Sequence, residues 1–167
     1  DSNGFQSDGS RQMWLWRDWL IQAYNRNLPF DQFTVEQLAG DMLPNATQDQ
    51  IIATGFNRNH RLNGEGGRIV EEWFVETVID RVETTGMTWM ALTLNCCRCH
   101  DHKYDPISQR EFYQFYAFFN NITEEESRLF GTELDGNSLP RIKAPLPEQQ
   151  AGMDHLKADL AAVQAKM

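Results

Sequence analysis

Cysteine is scarce in this chain of 167 residues: the only three are Cys96, Cys97 and Cys99. A disulfide scaffold needs cysteines distant in sequence, so these three are not scaffold disulfides; they form a local site or are an accident of composition. Basic residues are also under-represented, with 15 Lys and Arg against 24 Asp and Glu and a formal net charge of −9. That balance repels a phosphate backbone, no basic stripe offsets it, and no nucleic-acid partner is expected. An anionic membrane surface is disfavoured for the same reason. No apolar run approaches the roughly 20 residues that span a bilayer, so membrane insertion of this segment is not expected either. The start, Asp1-Ser2-Asn3-Gly4, has neither an initiator Met nor a charged leader. This turn-like opening reads as a segment of a larger protein, and the missing leader therefore excludes no compartment.

Apolar material, by contrast, is ample. Hydrophobic residues make up 41% and aromatics 11%, with five Trp and ten Phe, which is enough for a packed core. Its periodicity predicts a mainly α, compact helical domain with long loops. Met13, Trp16, Leu20 and Tyr24 place a helix from Ser10 to about Asn27, closed by Pro29. Capping-box pairs at Thr34/Gln37, Thr47/Gln50 and Ser108/Glu111 predict three further helix starts. The longest helical candidate runs from about Arg68 to Asn95, with Ile69, Trp73, Ile79, Val82, Trp89 and Met90 as its buried side. Gly86 is expected to admit another backbone at close range. The β-branched residues Val75, Thr77, Val78, Ile79, Thr84 and Thr85 argue against one unbroken helix and leave room for strand. Residues 63–67 and 123–146 read as loop or linker. Met153, Leu156, Leu160, Val163 and Met167 form a two-heptad apolar seam on a C-terminal amphipathic helix over 147–167, read as partner-seeking or core-docking.

Cys96, Cys99 and His100 form C-x-x-C-H, the attachment pattern of c-type haem. On a helix, positions i, i+3 and i+4 share a face, so two thiols can meet the vinyl groups of one porphyrin edge while His100 ligates the iron. Three other readings compete: plain apolar packing of the cysteines, a zinc site of Cys96, Cys99, His100 and His102, and a strained Cys96–Cys97 disulfide. Haem is the leading one. Cys97 points about 100° away from Cys96 on a helix and reads as a bystander thiol.

Several longer runs carry a resemblance. They are Phe30-Asp31-Gln32-Phe33, Glu36-Gln37-Leu38-Ala39-Gly40-Asp41, Gly55-Phe56-Asn57-Arg58-Asn59-His60, Asp80-Arg81-Val82 and Cys99-His100-Asp101-His102-Lys103-Tyr104-Asp105-Pro106-Ile107. Together they resemble a planctomycete-type cytochrome c-like domain family, over roughly residues 1 to 122. The resemblance implies one covalent haem c in a module of a large, exported, multi-domain protein, periplasmic or at the cell surface. A neighbouring cytochrome domain or another redox protein would be its partner. It supplies no reaction.

Around this motif, His60 is the first choice for the sixth iron ligand, with Met42 and Met13 behind it; Met87 and Met90 precede the motif too closely. Asp101, His102 and Asp105 are expected to hydrogen-bond around His100 or the haem, with Asp105-Pro106 equally suited to a plain turn. Arg98 and Lys103, and behind them Arg58 and Arg61, suit haem propionates. Trp73, Trp89, Tyr104 and Phe112 wall the haem or pack the core. Glu72, Glu76, Asp80 and Glu83 read as a solvated helix face, and His155 as solvated. Gly64-Glu65-Gly66-Gly67 does not match the dinucleotide fingerprint. The function expected is electron transfer by a haem c domain over 1–122, followed by a linker and the 147–167 helix, which is available to a partner helix. A haem enzyme with an open distal site, and a haem-free zinc or protein-interaction module, are the alternatives.

Overall fold

The computed structural model describes residues 11–60, 67, 69–121 and 141–165. Among them the chain is mainly helical and contains no strand. The α-helices are α1 (Trp14–Asn25), α2 (Phe30–Ala39), α3 (Gln48–Ala53), α4 (Val70–Met90), α5 (Gln109–Ala117) and α6 (Pro147–Gln164). Tight 3-10 turns at Gly40–Met42, Thr54–Arg58 and Asn95–Arg98 fill the joints.

Two of the three capping boxes form. Thr47 and Ser108 each accept the N–H three residues on, while the Gln50 and Glu111 side chains return to the cap. Thr34 does not cap. Pro29, with its fixed φ, starts α2 five residues earlier, and the Thr34 hydroxyl donates to the Phe30 carbonyl at 2.8 Å inside the helix. In α1 the buried stripe is also rotated from the expected one. Trp19 and Ala23 are buried and Tyr24 is exposed, because Ala23 meets the equally small Ala53 of α3. Gly40 lets α2 and α3 close: a Cβ there would lie 2.2 Å from the Gln50 backbone oxygen.

The long candidate is one helix of 21 residues, so its β-branched residues do not interrupt it. Its buried face is Val78, Ile79, Val82 and Gly86, with Thr77, Arg81 and Thr85 beside it. Ile69 and Met90, expected inside, are exposed at its two ends. The helix stops where Ala91 adopts a left-handed conformation, φ 55°, and Leu92 N–H reaches back to the Gly86 carbonyl at 3.1 Å. This reversal lays Leu94 on Gly86, where a Cβ would meet Leu94 Cδ1 at 2.7 Å. The close neighbour is thus chiefly a side chain rather than a second backbone.

The core has two parts. Trp19, Ala23 and Ala53 centre one among α1–α3, with Leu20, Leu28, Phe33 and Ile52 around them. Val78, Ile79, Val82, Leu94, Cys97, Phe112 and Phe119 form the other, between α4, α5 and the 95–98 turn. Trp89 joins them, with its ring 5.5 Å from Phe56, 5.9 Å from Phe33 and 6.2 Å from Phe30. Helix α6 begins at Pro147 as expected, but Met153, Leu156, Leu160 and Val163 are exposed, so the seam is not docked on the core. Met167, and most of the 123–146 linker, lie outside the described residues. No helix among the described residues is long and apolar enough to cross a membrane.

Candidate functional site

After the reversal at Ala91 the chain enters the 3-10 turn Asn95–Arg98, not a regular helix. Cys99 N–H and His100 N–H both reach the Cys96 carbonyl, at 3.3 and 3.4 Å. In a 3-10 turn, residues three apart eclipse, so Cys96 and Cys99 emerge on one side while Cys97, the first of the two residues between them, turns inward. Cys96 and Cys99 are exposed. Cys97 has no exposed surface and packs in the second core, its Sγ 3.7 Å from the Ile107 carbonyl. Burial, with the neighbouring Cys96 charge adding to it, pushes the Cys97 thiol up. Cys97 is a core residue.

His100 is exposed, and its Nδ1 lies 2.7 Å from the Asp101 backbone carbonyl. A carbonyl can only accept, so the ring proton sits on Nδ1 and Nε2 keeps its lone pair. Asp101 thus orients His100 through its backbone. Its carboxylate has a different task, accepting the first N–H of α5, from Gln109, at 2.8 Å. His102 shows the opposite tautomer. Its largely buried ring accepts at Nδ1 from the N–H groups of Asp105 (2.9 Å) and Tyr104 (3.3 Å), while the His102 backbone N–H donates to the Ile107 carbonyl. The Asp105 carboxylate also stands 3.2 Å from that Nδ1, but an Nδ1 already accepting N–H bonds has no proton for it. His102 and Asp105 therefore shape the turn that brings Ile107 under Cys97.

Arg98 is fastened from two sides. Its guanidinium forms a two-pronged pair with Glu76 of α4, Nη1 to Oε2 at 3.1 Å and Nη2 to Oε1, and this pairing pushes its already high pKa up further. Its carbonyl accepts from Gln109 Nε2 at 3.1 Å and Tyr113 Oη at 3.0 Å. The expected propionate partner is thus engaged by a carboxylate of its own chain. Lys103 lies with its Nζ 5.1 Å from the Tyr104 ring centroid, at an exposed position.

His60 lies elsewhere. It is buried, its carbonyl accepts from Arg11 Nη1 at 2.6 Å, and it lines a cavity with Asp80, Arg81, Thr84 and Thr85 of α4. Asp80, Arg81 and Thr84 project from α4 about 100° or more around the helix from the centre of the Val78, Ile79 and Val82 face on which Cys97 packs, while Thr85 lies beside Val78. Met42 is highly exposed, and Arg61 lies outside the described residues. Phe112 is a core residue, Trp89 is half-buried against the rings of Phe33 and Phe56, and Tyr104 is exposed. The acidic face of α4 is divided: Glu76 holds Arg98 and Asp80 lines the cavity. Gln109 and Tyr113 were not singled out from sequence, and Glu76 only as part of a solvated face, since each acts on Arg98 from 11 to 22 residues away. Among the described residues no three His, Cys, Asp or Glu side chains gather as a metal site, so Cys96, Cys99, His100 and His102 do not assemble the zinc alternative. His155 is exposed on α6, 3.1 Å from Asp159.

Residues 1–124 match the family described as PSCyt2, Protein of unknown function (DUF1549). That description carries no cofactor and no reaction. Neither the curated proteins nor the solved structures give a match.

Proposed function

The chain belongs to the PSCyt2 family, which covers 124 of its 167 residues, and from that premise we propose that it is an electron-transfer domain that binds one haem c covalently. One arrangement carries this reading. Two exposed thiols a 3-10 turn apart adjoin an exposed histidine whose Nδ1 is held by a backbone carbonyl, leaving Nε2 as the coordinating atom. Haem-ligating histidines are commonly held in this way, through the ring nitrogen not on the metal. The donor set suits a haem edge better than a tetrahedral zinc, because the third sulfur is buried in the core and the second imidazole is committed to its turn.

Cys96 and Cys99 would be the thioether anchors and His100 the proximal ligand. The bound group would supply a one-electron couple. The protein residues hold the turn in place: Glu76, Gln109 and Tyr113 fix Arg98, Asp101 fixes His100, and buried Cys97 ties the whole to α4. Covalent haem attachment also places the chain in an exported compartment, next to a redox partner or a further cytochrome domain.

The test is the absorbance spectrum of protein matured with haem-attachment machinery, recorded after denaturation and extraction of loose haem. Retained haem absorbance, lost in Cys96→Ala/Cys99→Ala, is the expected result. A colourless denatured chain would overturn the proposal.

A further inference from the structure

Between the two candidate anchors the chain places one cation, Arg98, one residue from Cys99 and two from Cys96. Its guanidinium is matched by a carboxylate from another element. Nη1 donates to Glu76 Oε2 at 3.1 Å and Nη2 to Glu76 Oε1, so α4 reaches the turn with a negative charge. The side chains are 38% exposed for Arg98 and 27% for Glu76, and salt screens such a pair less than a fully exposed one.

The turn has other fastenings. Cys97 is buried in the second core, the Arg98 carbonyl accepts from Gln109 Nε2 and Tyr113 Oη, and the Asp101 carboxylate accepts the Gln109 N–H. Partly exposed ion pairs contribute little to folding. The Glu76 contact adds something that the bonds to the Arg98 carbonyl do not: it cancels the guanidinium charge.

That charge is felt at the anchors. The Arg98 pKa is pushed up first by its bonds to Glu76 and then by the charges of Glu76 and Cys99, so guanidinium and anchor are within electrostatic reach. Reduction adds one unit of negative charge to the group that Cys96, Cys99 and His100 would hold. A free cation beside that group favours the reduced form, a free anion favours the oxidised form, and a matched pair does little of either. On the haem reading above, we propose that Glu76 is a positioning residue for electron transfer: by pinning and neutralising Arg98 it lowers the reduction potential of the group held at Cys96, Cys99 and His100.

The test uses the full chain matured with haem-attachment machinery, its midpoint potential read by spectroelectrochemical titration at fixed pH and low salt. Glu76→Gln, which frees the cation, should shift the potential up. Arg98→Gln, which frees the anion, should shift it down, and the double variant should fall between the two. A turn that had merely loosened would move both single variants in the same direction. Should Glu76→Gln not fold, judged by melting of the haem-free chain, Arg98→Gln is compared with Arg98→Lys, which keeps the charge; only the former should lower the potential. Retained haem with the single variants unmoved, or moved the same way, would overturn the proposal alone. A wild-type chain that retains no haem would overturn it together with the haem reading.

Discussion

Replacing Cys97 with alanine separates packing from chemistry within one motif. The Cys97 side chain is fully buried among Val78, Ile79, Val82, Leu94, Phe112 and Phe119. Truncation removes one sulfur, losing about 1 kcal/mol of transfer energy, and leaves a void of roughly 25 Å³ that adds about 0.6 kcal/mol. The weak contact with the Ile107 carbonyl, at 3.7 Å, adds little. Cys97→Ala should therefore lower stability by about 1.5 kcal/mol, or roughly 3–6 °C in melting temperature for a chain of this size. Cys96→Ala and Cys99→Ala remove exposed thiols and should stay within about 0.5 kcal/mol of wild type in the haem-free protein. Urea unfolding followed by tryptophan fluorescence measures all three, with an unchanged slope confirming that the comparison concerns the native state. Haem retained after denaturation gives the second readout: undiminished in Cys97→Ala, and reduced to one thioether link in either of the others. If Cys97→Ala leaves stability unchanged but abolishes haem retention, the assignment of Cys97 to the core is wrong.

Three other outcomes follow from the same packing. Because the folded state holds the Cys97 thiol above its ordinary 9.0, unfolding releases its proton at alkaline pH. That share of stability is intact below the unfolded-state value and lost as pH climbs toward the folded-state one; urea midpoints between about pH 8 and 10 should fall less steeply in Cys97→Ala. Gly40→Ala, whose Cβ would strike the Gln50 backbone oxygen, should cost about 3 kcal/mol, whereas Gly86→Ala meets chiefly the end of the Leu94 side chain and should cost about 1 kcal/mol, both read by thermal melting. Ser108→Ala should cost about 1 kcal/mol by opening the α5 capping box. The Ser108 N–H and hydroxyl both donate to Glu111 and hold its carboxyl below its ordinary range; the hydroxyl's bond, which Ser108→Ala removes, contributes above the unfolded-state pKa and is lost as pH falls through the folded-state one. The penalty of Ser108→Ala should therefore shrink in acid.

The helical class, the Thr47 and Ser108 helix starts and the Pro147 start of α6 were legible because each depends on residues within one turn of the chain. Thr34 shows where that logic fails. Its capping-box spacing is sound, but Pro29 had already begun the helix, and a mid-helix threonine has no cap to make. The α4 boundaries were nearly legible, while its buried face was not: Ile69 and Met90 match the apolar period but project beyond the elements that cover the helix.

The sequence by itself determined the spacing of Cys96, Cys99 and His100, the acidic charge and the order of helices, since these are properties of neighbours along the chain. Only the tertiary structure decided that Cys97 points into a core, that Arg98 answers to Glu76 and that His60 lines a cavity with Asp80, Arg81 and Thr84. It also decided that Asp101 works through its carbonyl while His102 closes a turn. Those outcomes depend on which surfaces α4 and α5 offer to the 95–107 segment, and periodicity along the chain carries no record of the partner it will meet.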